Sequence, residues 1–157
     1  MRSTIQLAAL SLSGLLAGNE LATLIGAHPA VRTLPLRTQI EAEQALTDRL
    51  GKVMPVYTSA TLVAVGAAAA DRAGTPAFRL TVTAAAATAA MLAITGLGNI
   101  PLNQRTTRYP VDGDAQGWAG IRRPWERLHL ARVLLDLAAF GCLATAALNV
   151  GREQPAS

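Results

Sequence analysis

Residues 125–140 read WERLHLARVLLDLAAF, and the fold turns on how this stretch is housed. On a helix of 3.6 residues per turn, Trp125, His129, Arg132 and Asp136 stand at i, i+4, i+7 and i+11. They share one face, while leucines and alanines cover the others. The stripe is either turned to solvent or buried as a polar seam, and the surroundings of the helix decide which.

Those surroundings are apolar. Of 157 residues 51% are hydrophobic and only 15% charged, with aromatics at 4%. Composition alone also permits an alanine-rich soluble bundle, but the distribution is more telling. Residues 3–19, 53–70 and 80–104 carry no charge, and residues 133–151 carry only Asp136. Each stretch approaches the ~20 residues that cross roughly 30 Å of hydrocarbon at about 1.5 Å per residue. The charges gather between them, at 32–52, 71–79 and 105–127, where connecting segments meet water. The expected fold class is all-α: an antiparallel four-helix transmembrane bundle with an amphipathic extension before helix 2 and a polar loop between helices 3 and 4. Residues 1–151 form its single domain and residues 152–157 a polar tail.

The net charge of +4 is divided among loops rather than gathered into one aromatic-laced stripe, which argues against nucleic acid as a partner. The bilayer is the expected partner, and pairing of two copies is left open. The single Cys142 lies in the fourth apolar stretch, so no internal disulfide forms. The start, MRSTIQLAALSLSGLLAG, has the look of a signal peptide. The apolar run continues through LATLIGA, however, and cleavage would leave an odd number of spans, so it reads as a retained first helix.

Helix 1 is expected from about Thr4 to Ala27, ending before Pro29. Thr38 and Glu41 have capping-box spacing, and Leu36, Ile40, Leu46 and Leu50 recur roughly on one side. An amphipathic helix at or above the membrane edge should therefore start near Thr38 and enter the bilayer at Pro55. Pro101 should end or bend helix 3, leaving 104–117 as the main loop. A short helix at 118–122 then precedes a last span opened by Pro124. Alanine runs at 67–70 and 84–87 suit close helix approach in lipid. No internal repeat is evident.

Threaded antiparallel, the spans collect their unusual residues on one side. Asn19, Glu20 and His28 end helix 1, and Tyr57 and Thr58 enter helix 2. Asn99 and Asn103 end helix 3, and Trp125, Glu126, His129 and Arg132 open helix 4. Charges inside a bilayer cost ~2.5–3.5 kcal/mol on insertion scales unless they find partners or line a cavity. Glu20 should lie roughly 12 Å along the helix from His28. Arg132 and Asp136, at i and i+4, are expected to pair, and Trp118 and Trp125 to anchor at the interface. Nine Lys and Arg in the two loops on the polar side, against four elsewhere outside the spans, put that side in the cytoplasm of a cell-membrane protein.

The set AGNE at 17–20, HPAV at 28–31, MPVY at 54–57, GNIPLN at 98–103 and WERLHLARVLLDLAAF at 125–140 resembles the anthrone oxygenase family of small four-helix membrane proteins. Its most specific parts are Asn99 to Asn103 and the Trp125, His129, Arg132 spacing. The resemblance implies a membrane oxygenase, an oxidoreductase acting on a lipophilic aromatic small molecule; fungal members oxidise anthrones in polyketide tailoring. The implied chemistry needs a base, oxyanion donors and a lipophilic pocket, with dioxygen as co-substrate and no resident cofactor. His129 is the first candidate base and Glu20 the second, with Arg132, Asn99 and Asn103 as oxyanion donors. Asn19, Tyr57, Trp125 and His28 complete the expected substrate site. Two alternatives stay open: a metal or haem enzyme using His28 and His129, and a non-catalytic membrane protein that binds a lipophilic ligand or partner.

Overall fold

The computed structural model describes residues 2–152; Met1 and all of the expected tail beyond Arg152 lie outside the described residues. Helix α1 (Arg2–Ala22) runs into a π-helical turn (Thr23–Ala27) and a last short turn, α2 (His28–Val31). After a tight bend, α3 (Leu36–Asp71) forms the second span. The third consists of α4 (Phe78–Ile94), a second π turn (Thr95–Asn99) and α5 (Ile100–Arg108), and the fourth is α6 (Ala115–Arg152). The described residues contain no strand. All four spans are long and apolar enough to cross a membrane, which marks an integral membrane protein.

The spans pack as a closed antiparallel ring in which the first touches the second and fourth, and the third touches the second and fourth. The centre is narrow because its residues are small: Ala9, Val65, Ala68, Ala84, Ala139 and Leu143 form the apolar core. A Cβ on Gly14 would stand 2.9 Å from the Phe140 ring, so glycine sets that helix approach. Buried Thr61 and Thr88 return their hydroxyls to the carbonyls of Tyr57 and Ala84, at 2.9 Å each, so neither is stranded among alanines. Leu7, Leu15, Val63, Leu97 and Leu148 are exposed on the outside, the arrangement lipid requires.

Four sequence expectations need correction, and three concern proline. Pro29 and Pro101 end no helix and Pro124 opens none; the chain stays helical through each of them. Proline lacks an N–H and its ring crowds the carbonyl four residues back. At Pro29 and Pro101 a wide π turn directly upstream spreads the helix at that point, closed by the N–H of His28 to Thr23 O and of Ile100 to Thr95 O. The expected helix at 118–122 is therefore continuous with α6, and residues 104–108 are helical, so the connecting loop shrinks to 109–114. Fourth, the chain does contain a repeat: both π turns follow Thr-x-x-Gly-x-x-Pro, at 23–29 and 95–101. The repeat marks a shared backbone device, since the residues around it otherwise differ.

Candidate functional site

The π turns decide which residues face inward. At about 100° per residue, His28 would stand roughly 80° around an ideal helix from Glu20; absorbing one residue in the wide turn reduces this to about 20°. Both side chains are consequently buried toward the fourth span. The second π turn does the same for Met91 and Asn99, both fully buried.

On α6 the stripe of the opening stretch extends two steps toward its start. Trp118, Arg122, Trp125, His129, Arg132 and Asp136 follow one another at spacings of four and three, and all are buried. This overturns the expectation that Trp118 and Trp125 anchor at the membrane surface. Trp125 packs against His28 and His129, with ring centroids at 4.7 and 4.8 Å, and its Nε1 donates to Asn103 Oδ1 at 2.7 Å. The Arg122 guanidinium lies 4.3 Å from the Trp125 ring centre.

Two carboxylate, imidazole and arginine triads result. In the first, Glu20 of the first span pairs with Arg132 of the fourth, and its Oε2 approaches His129 Nδ1 at 3.1 Å, off the line of a good hydrogen bond. In the second, His28 Nδ1 lies 2.9 Å from Glu43 Oε1, which also accepts from Arg122 Nη2 at 3.0 Å. The 3.3 Å between Arg122 Nη2 and His28 Nδ1 follows from two donors converging on one oxygen. The imidazoles meet edge to face at 5.5 Å, joining the triads.

Hydrogen-bond logic separates the two rings. Thr23 Oγ1 donates its one proton to a backbone carbonyl, of Asn19 at 2.9 Å or Glu20 at 2.8 Å. His129 has only a 3.4 Å contact of its Nε2 with that hydroxyl and the off-line approach of its Nδ1 to Glu20, and neither fixes its tautomer. His28 Nδ1 lies in hydrogen-bond reach of Glu43, and with the proton there the neutral ring has its lone pair on Nε2. Both rings line a cleft of about 320 Å³ between the first and fourth spans, together with Leu24, Trp125 and Leu130. That volume lies at the lower end of small-molecule sites, ~300–1,000 Å³.

Other expected site residues disperse. Tyr57 spends its hydroxyl on Leu12 O at 2.8 Å, and Asn19 faces Met54 Sδ at 3.8 Å; neither lines the cleft. Asn103 supports Trp125 from behind. Asn99 is fully buried with both amide atoms unpartnered among the described residues. The expected Arg132–Asp136 pair does not form: Arg132 turns to Glu20, and Asp136 is buried with Oδ2 unpartnered. A carboxylate on a neighbouring helix competes better than one on the same helix in the less favoured order.

Against this geometry, the family model of anthrone oxygenase matches residues 44–142, more than half of the chain. The chain belongs to the anthrone oxygenase family. No curated protein and no solved structure gives a match. Within this anthrone oxygenase relative, the matched segment holds Asn99, Asn103, Arg122, Trp125, His129 and Arg132, whereas Glu20, His28 and Glu43 fall before it. The site is thus built across the edge of the matched region.

Glu43, Arg122 and Thr23 are the residues that sequence reasoning missed. A signal existed for two of them: Glu43 continues the apolar face of Leu36 and Ile40 at i+7, and Arg122 continues the α6 stripe at i−3 from Trp125. Ile40 and Glu43 are both buried, so the amphipathic extension before the second span turns that face onto the bundle.

Proposed function

We propose that this protein is a membrane-embedded oxygenase that admits a lipophilic aromatic ketone with an acidic benzylic C–H, an anthrone-like substrate, into the cleft between its first and fourth spans. The observation that carries this reading is a pair of buried imidazoles on one cleft wall, each backed by a carboxylate that is itself held by an arginine. His28, in place of His129, is the base, because its Nε2 has the free lone pair. Glu43 fixes the tautomer and Arg122 fixes Glu43.

Transfer of the benzylic proton to His28 Nε2 leaves an electron pair delocalised as a phenolate. That anion gives one electron to dioxygen, and recombination of the radical with superoxide forms the C–O bond. Protonation from the imidazolium yields a hydroperoxide; loss of the second benzylic proton with O–O cleavage gives the new carbonyl and water. Ketone and dioxygen thus become diketone and water. His129 on the cleft wall is the polar partner for the phenolate oxygen, and Arg132, held by Glu20 behind it, adds positive charge. No group of three or more metal-ligating side chains occurs among the described residues, and no step is assigned to a metal. The positive-inside bias supports placing the cleft at the cytoplasmic side of the cell membrane.

Oxygen uptake by reconstituted protein with an uncharged phenolic anthrone tests this. His28→Gln should lower the rate ~100-fold or more, the scale of a general base. Unchanged uptake and quinone formation in that variant would remove the base from the scheme.

A further inference from the structure

The cleft is graded along the bundle axis. Leu24 and Leu130, the latter 47% exposed, form its bilayer end, and Arg32, Arg123 and Arg127 its water end. From Arg123 to Leu130, α6 rises about 10 Å. On α6 Trp125 stands between Arg123 and Arg127, and His28 and His129 stand between the arginines and the leucines along their own helices. Arg32 pairs with Glu126 at 3.0 Å. Arg123 and Arg127, exposed and one turn apart on α6, have no carboxylate partner among the described residues. Three cations and one anion therefore surround the mouth of a site whose far end is apolar.

We infer that the cleft selects an amphiphilic substrate, with its aromatic body along Leu24, Trp125 and Leu130 and a carboxylate at its other end held by Arg123 and Arg127. This rests on the proposed function for the aromatic body and adds the charged group. Guanidinium matches carboxylate with two parallel hydrogen bonds, and beside a hydrocarbon wall that pairing is screened less than in open water. A ligand so anchored places its middle, roughly half of the graded length, beside His28. Neutral aromatics lack the anchor and slide along the apolar wall, so the arginines fix register as well as affinity. Lipid phosphate offers arginine the same anionic oxygens, and it is the continuity of the arginines with the histidine wall that favours the substrate as their partner.

Full-length protein in nonionic detergent serves for the test, with binding followed by quenching of tryptophan fluorescence, since Trp125 lines the cleft. The probes are anthracene-9-carboxylate and uncharged 9-hydroxymethylanthracene. The carboxylate should bind at least tenfold more tightly at low salt, with the advantage shrinking as salt rises. In Arg123→Gln/Arg127→Gln the preference should vanish. Equal affinities for the two probes, or a preference that survives the double substitution, overturns the inference. So does displacement of the carboxylate probe by phosphatidylglycerol added to the micelles when phosphatidylcholine does not displace it, because the arginines then belong to a lipid headgroup. Binding is read without turnover, so oxygen uptake with an uncharged anthrone can fail while the preference stands, and the reverse.

Discussion

Glu43→Gln tests the architecture of the site independently of its chemistry. Glu43 is 1% exposed and Arg122 5%, and Glu43 Oε1 is the shared acceptor for Arg122 and His28. Glutamine preserves the shape and can still accept from His28, but it leaves the Arg122 guanidinium buried without a counter-charge. Breaking one partner of such a pair costs about 3–5 kcal/mol. For a chain of this size each kcal/mol shifts the unfolding midpoint by roughly 2–4 °C, so a fall of roughly 6–20 °C is expected. Thermal unfolding of detergent-solubilised protein by intrinsic fluorescence measures it. Arg37→Gln is the control, since Arg37 meets Glu41 and Asp112 at the exposed edge, and such pairs contribute below about 1 kcal/mol. The double variant Glu43→Gln/Arg122→Gln removes both charges and should recover part of the loss, giving a coupling of about 1 kcal/mol or more. A shift for Glu43→Gln no larger than that for Arg37→Gln, or strict additivity in the double variant, would show that the cluster is solvated and the reasoning mistaken.

Two further outcomes are expected. Asp136→Asn should raise stability by about 1–3 kcal/mol in the same unfolding assay, because a buried carboxylate with an unpartnered oxygen is replaced by a neutral amide; a clear loss would reveal a cation serving it. Asp114 caps α6, its Oδ1 accepting from the Gly117 N–H at 2.8 Å, and this bond holds its carboxyl below the usual range. A depressed folded-state value means that the stabilisation is present above the ordinary carboxylate value and is lost as pH falls from there through the lower folded one. Midpoints measured from neutral to acid pH should converge between the native protein and Asp114→Ala at the acid end, and parallel profiles would refute the cap.

The spans were legible because membrane insertion reads composition locally: twenty uncharged residues cross a bilayer whatever their neighbours are. The polar end was legible for a related reason, since Glu20, His129 and Arg132 are costly in lipid wherever the bundle puts them. Pro29 and Pro101 misled because the local rule, that proline ends a helix, assumes an α-helix upstream. The repeated Thr-x-x-Gly-x-x-Pro at 23–29 and 95–101 supplies a π turn instead. Trp118 and Trp125 misled in another way, since an interfacial and a buried tryptophan look alike until the opposing surface is known.

Four helices, their direction, the small-residue core and the side of the bundle that holds polar groups thus follow from the order of residues alone, because each depends on transfer from water to lipid segment by segment. The partners do not. That Glu20 pairs with Arg132 and leaves Asp136 aside, and that Glu43 and Arg122 stand behind His28, were decided only when the spans met. One extra residue in a helical turn swings a side chain by about 100°, enough to choose between lipid and neighbour, and that choice is a property of packing.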